Sequence, residues 1–106
     1  IISARFRNLP LMFARLGGGY EDLTPEMAAK LGLQEIKGVF ITNIVKDGPA
    51  DKVGVKEGDV ILKMDGREIF SAIHLTQEVR SHNPGDVVQI EVWRNREIVV
   101  FEITLG

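Results

Sequence analysis

The residues whose types could do chemistry are Arg15-Leu16-Gly17-Gly18-Gly19. Consecutive residues without obstructing side chains can turn several backbone N–H groups toward one point, which is how a terminal carboxylate is held. Arg15, just before the glycines, adds a cation that could act on the same anion at long range or through water. A glycine triplet alone is equally at home in a flexible turn, so its meaning depends on what it is attached to.

Catalysis finds no such cluster. The two histidines, His74 and His82, fall on one short predicted helix, two turns apart. No serine sits in a G-x-S-x-G context, and H-E-x-x-H is absent. The carboxylates are scattered over turns and surface positions, with no apolar surroundings to hold one protonated as an acid. There is no cysteine, which removes a thiolate nucleophile, a disulfide framework and a cysteine metal site. The sequence therefore carries no catalytic constellation and implies no metal or cofactor.

Bulk properties narrow the classes further. At 106 residues the chain is one domain's worth of core. A formal net charge of −2 offers no basic excess for nucleic acid as a partner. No apolar run reaches membrane-spanning length. Residues 1–14 read as a linker or N-terminal arm, rich in apolar residues such as Phe6, Leu11 and Phe13 and free of acids. The start at Ile1, with no leader ahead of it, reads as a piece of something longer.

The elements that must position the loop can be read in order. Gly19-Tyr20-Glu21-Asp22 continues it as an extended segment. Thr24-Pro25-Glu26 gives an N-cap, a first helical residue and an acidic first turn, with Gly32 as the stop. The β-branched run from Gly38 to Val45 predicts a strand. Ser71 caps a helix through about Ser81, closed by the turn Asn83-Pro84-Gly85-Asp86. Val88, Ile90 and Val92 alternate with polar neighbours, and Val99, Phe101, Ile103 and Leu105 share one face of a last strand. On the helix, Ala72, Leu75 and Val79 should face the core, while His74 and Glu78 form the adjacent stripe with Ser81 and His82 one turn on. Trp93 reads as a surface residue of an amphipathic strand.

Between the predicted strand and the second helix lies Asp47 to Gly66. It packs a turn, Pro49 opening a single helical turn, Gly54 as its stop, the Gly58-Asp59 turn, the apolar run Val60-Ile61-Leu62 and an Asp65-Gly66 hairpin into twenty residues. That arrangement resembles the signature of PDZ domains of the bacterial HtrA/Deg serine-protease type, with Gly48 and Val53 departing from the small residues usual at those places. The resemblance covers about residues 15–105, and the domain is taken as 15–106. It implies a mainly β fold with short α: a small, partly open β-barrel of five or six strands, circularly permuted relative to the animal form, capped by two or three helices.

The resemblance also implies a site. Leu16, Gly17 and Gly18, with Arg15 beside them, match the loop that holds a peptide carboxylate. Gly18 stands where the family usually has a side chain, which implies a larger pocket or a looser loop. Gly19, Tyr20 and Asp22 would lie on the strand to which the peptide adds, and His74, Glu78 and Ser81 on the opposite wall. The partners implied are C-terminal or extended polypeptide segments, with an upstream protease domain in the parent chain and a periplasmic or envelope location. An alternative is an assembly domain whose groove is filled by the 1–14 arm or by a neighbour's Phe101-to-Leu105 end. A third reading puts the module in a secretion component or a membrane-embedded metalloprotease.

Overall fold

The computed structural model describes residues 16–106. The arm over 1–14 and Arg15 fall outside the described residues. The elements follow the chain as β1 (Gly18–Asp22), α1 (Pro25–Leu31), β2 (Val39–Ile44), α2 (Pro49–Val53), β3 (Val60–Met64), β4 (Arg67–Glu68), α3 (Ala72–Arg80), β5 (Val87–Arg94) and β6 (Glu97–Thr104).

Local chemistry explains the boundaries. Thr24 Oγ1 accepts from the Met27 N–H at 3.2 Å and Pro25 takes the first helical position, so α1 starts where its orphan donors find a partner. Ser71 Oγ does the same for the His74 N–H at 3.1 Å, opening α3. In α2, Pro49 follows the extended Gly48, and Gly54 at φ 104° sends its N–H back to the Ala50 and Asp51 carbonyls. The β5–β6 hairpin turns on Asn95 and Arg96, both at positive φ, the geometry whose twist matches flanking strands.

The strands form one antiparallel sheet in the order β1-β2-β3-β5-β6, with the two-residue β4 attached to β3. Among the described residues the sheet does not close, and β1 and β6 are its edges. The expected strand and helix content is therefore met within the described residues: six strands and three helices.

The core divides in two. The larger cluster buries Leu16, Ile41, Ile61, Met64, Leu75, Val79, Ile90 and Ile103 between the sheet and α3, with Val99 and Phe101 packed against it. Leu75 and Val79 face inward as their spacing predicts. On the other face, Leu23, which precedes α1, and Ala28 of α1 bury Val60 together, with Phe40, Leu62 and Trp93 around them. Trp93 is not the surface residue its strand pattern suggests: its Nε1–H donates to the Leu31 carbonyl at 2.7 Å, tying β5 to the end of α1. The alternation placed it outward, and α1 then covered that outward face.

Asp59 carries a second tie that turn chemistry alone does not announce. Its carboxylate is 3% exposed, accepts from the Lys56 N–H at 3.0 Å and from Arg94 Nε at 2.9 Å, and also meets Arg94 Nη2. Arg94 Nη2 further donates to the Gly54 carbonyl at 2.8 Å. The carboxylate holds the Arg94 guanidinium above its already high ordinary range. One ion pair thus fixes the stop of α2 and the entry to β3 against β5.

Candidate functional site

Among the described residues β1 pairs only with β2, and α3 runs along its other side. Between them lies a cleft of about 440 Å³ lined by Gly19, Tyr20 and Thr42 on the sheet side and by Ala72, Ile73, Thr76, Gln77 and Arg80 on the helix side. Two contacts cross it. Tyr20 Oη lies 2.8 Å from Thr76 Oγ1, and the Ala72 N–H donates to Asp22 Oδ1 at 2.7 Å. Asp22 thereby satisfies a donor at the α3 N-terminus, where negative charge is also favoured. Burial pushes the Tyr20 hydroxyl above its ordinary range, with the Thr76 bond working weakly the other way.

The glycine loop meets the cleft at the start of β1 and is braced on two sides. Leu16 anchors it with a fully buried side chain. Gly17 stands at φ 89°, its carbonyl accepts from the Val45 N–H at 2.9 Å, and a Cβ there would come within 2.8 Å of Pro49 Cδ. The loop therefore rests on the first residues of α2, which is why the Gly48-Pro49-Ala50 turn and the glycines belong together. A Cβ on Gly18 would stand 2.6 Å from the Asn43 carbonyl oxygen, closer than any real contact. The Gly19 N–H donates to Asn43 Oδ1 at 2.8 Å. Gly18 is thus a place where two backbones approach, and the looser loop expected from its missing side chain is not what these contacts describe.

Register shifts between Gly19 and Tyr20, which pair with Asn43 and Ile41 and leave Thr42 as the extra residue of a bulge. The bulge turns Thr42 into the cleft, a placement the sequence gives no sign of.

Of the residues singled out, Gly19 and Tyr20 line the cleft, Leu16, Gly17 and Gly18 precede them in the chain without lining it, and Asp22 reaches the N-terminus of α3. His74, Glu78 and Ser81 are not brought to the cleft. They occupy the opposite flank of α3, across the Leu75–Val79 stripe from the cleft wall. His74 Nδ1 accepts from the Phe70 N–H at 3.2 Å and its ring stacks on Phe70 with centroids 5.8 Å apart. Glu78 Oε1 lies 3.6 Å from His74 Nε2 and 3.5 Å from Arg67 Nη1, and Ser81 Oγ donates to the Glu78 carbonyl at 2.6 Å. The helical wall that the cleft does use is Ala72, Ile73, Thr76, Gln77 and Arg80. Both flanks of the buried stripe are polar enough to serve, so periodicity alone could not choose; the position of β1 chooses.

Among the described residues no group of three or more His, Asp or Glu side chains is arranged to hold a metal ion, and no helix is long and apolar enough to cross a membrane. The arrangement offers a strand edge, a braced glycine loop and a lined slot, and so can hold an extended chain.

Comparison with known proteins identifies the fold. The PDZ domain family profile matches residues 14–105. A probable periplasmic serine endoprotease, DegP-like, of Bartonella henselae is 38% identical over 80 residues, covering 76% of this chain and 16% of that protein. Its counterpart in Brucella suis is 33% identical over 91 residues, covering 86% of this chain and 18% of that protein. This chain therefore spans less than a fifth of the curated relatives it matches. Among solved structures, an HtrA-type protease AlgW with decapeptide superposes with a TM-score of 0.75 at 36% identity, over 86% of this chain and 28% of that one. The HtrA3 PDZ domain bound to a phage-derived ligand shares the fold, with a TM-score of 0.73 at 22% identity over 86% of this chain and 83% of that one.

Proposed function

The chain belongs to the PDZ domain family, and from that premise we propose that it captures extended polypeptide ends by strand addition to β1. The observation that carries this reading is the β1 edge, unpaired among the described residues, standing across a lined cleft from α3. A ligand strand running along that edge gains backbone partners from β1, and its terminal carboxylate is received by the Leu16-Gly17-Gly18 loop. One apolar side chain fits against Tyr20, Ile73 and Thr76.

The magnitudes suit recruitment. About four backbone hydrogen bonds at roughly 1 kcal/mol each and one buried side chain at roughly 1.5–3 kcal/mol are the favourable terms. Losses in translation, rotation and ordering take back much of this, leaving an affinity near micromolar. The likeness to DegP-like endoproteases supports a place in the periplasm beside a serine-protease domain of the parent chain, delivering substrate to it or regulating it.

The test is fluorescence anisotropy with peptides ending in Phe, Leu, Val, Ala or Asp, each as free acid and as amide. Apolar-ended acids should bind and should weaken at least tenfold on amidation, worth about 1.4 kcal/mol or more. Equal binding of acid and amide would shift the reading to internal segments, and binding of neither would remove it.

A further inference from the structure

Two contacts fix how β1 and α3 lie against each other. Asp22 meets Ala72, and Tyr20 meets Thr76. Stepping two residues back along the strand moves about 6.7 Å, and stepping four residues on along the helix moves about 6 Å. The same step taken once more, in the same antiparallel sense, sets Arg80 opposite Gly18. Arg80 does line the cleft together with Gly19.

Among the described residues, Arg80 is the one charged side chain lining that cleft. It is exposed, and among the described residues it has no ion-pair partner, whereas Lys37, Arg67 and Arg94 each have one. At the other end of β1, Glu21 and Asp22 carry negative charge. The slot is thus polarised along its length, positive where the glycine loop begins and negative where the strand ends.

We propose that Arg80 is the cation that anchors the terminal carboxylate of a bound polypeptide, opposite Gly17-Gly18, so that the cleft selects chain ends over internal segments. The assignment rests on the peptide-binding reading above. Its physical basis is the planar guanidinium, which gives charge-assisted hydrogen bonds to a carboxylate from a scaffold held in place by buried Leu75 and Val79. The polarity also sets direction: the ligand's end points toward Arg80, and a basic side chain a few residues upstream suits Glu21 and Asp22.

A cation in the last turn of a helix also complements the macrodipole, and the experiment separates that role from ligand anchoring. The 106-residue chain is titrated with a fluorescein-labelled heptapeptide ending in valine, as free acid and as amide, for wild type, Arg80→Gln and Arg80→Lys. Affinity for the acid should fall about five- to twentyfold in Arg80→Gln, while amide affinity stays unchanged and Arg80→Lys recovers much of the loss. The wild-type preference for acid should also weaken with added salt. A lower melting temperature with an unchanged acid-to-amide ratio would reduce Arg80 to a helix-end residue and overturn the assignment. So would an equal loss for acid and amide. Wild type that binds acid and amide alike removes the anchor while leaving strand addition standing, and wild type that binds neither removes the peptide-binding reading itself and the anchor with it.

Discussion

Tyr20 and Thr76 meet hydroxyl to hydroxyl at 2.8 Å, joining an edge strand to the helix that faces it. The ring of Tyr20 packs against the main core while its hydroxyl reaches the cleft, so one side chain belongs to both the hydrophobic interior and the binding surface.

Tyr20→Phe should cost about 0.5–1.5 kcal/mol of folding stability, the net value of a part-buried hydrogen bond, read from urea unfolding at neutral pH. A sign follows for pH. The folded hydroxyl titrates above its ordinary value of 10.0, so its contribution is whole below the unfolded value and is lost as pH rises from there through the folded pKa. Wild type should therefore lose stability above about pH 10 more steeply than Tyr20→Phe; parallel alkaline profiles would contradict the burial of the hydroxyl that raises its pKa.

Arg94→Met should destabilise by about 3 kcal/mol, because it leaves the 3%-exposed Asp59 carboxylate without its counter-ion. Denaturant unfolding checks this. Asp59→Asn/Arg94→Met, with the charge removed on both sides, should recover part of the loss.

Gly18→Ala should be worse than an exposed glycine-to-alanine change, since its Cβ meets the Asn43 carbonyl at 2.6 Å and must push β1 away from β2. We expect a cost of about 1–3 kcal/mol together with weaker peptide binding. A Gly18→Ala protein as stable as wild type would mean that the strands separate freely there.

Ile73→Glu should weaken binding of apolar-ended peptides at least fivefold, about 1 kcal/mol, because Ile73 lines the cleft and is 71% exposed, so its replacement touches no packing. His74→Ala and Glu78→Gln, on the other flank, should change peptide affinity less than twofold. The reverse pattern in the same anisotropy assay would return the ligand to the flank holding His74.

Much of the fold is legible because its signals are local. Pro49 and Gly54 bracket α2, Thr24 and Ser71 cap their helices through their own side chains, and the alternation of Val88, Ile90 and Val92 fixes which face of β5 is buried. The glycine loop is legible through chemistry, since few residue types permit its conformation. What escapes is whatever depends on distant partners. Trp93 is hidden by an α1 that begins 68 residues earlier at Pro25, and Arg94 finds Asp59 across 35 positions. The cleft wall on α3 is the same kind of miss. Leu75 and Val79 locate the inner stripe, but no residue of α3 says whether β1 passes on the Thr76 side or the His74 side.

The helix over β1 has a consequence for the protein's behaviour at high concentration. A naked sheet edge is a template on which other chains polymerise. Here that edge is five residues long, ends in Glu21 and Asp22, and is tied to α3 by the Tyr20–Thr76 hydroxyl pair and by Asp22 on the Ala72 N–H. A single strand with a free end can be threaded into such a slot, whereas the edge of another folded sheet is too broad to follow. The same cover then guards the edge against aggregation.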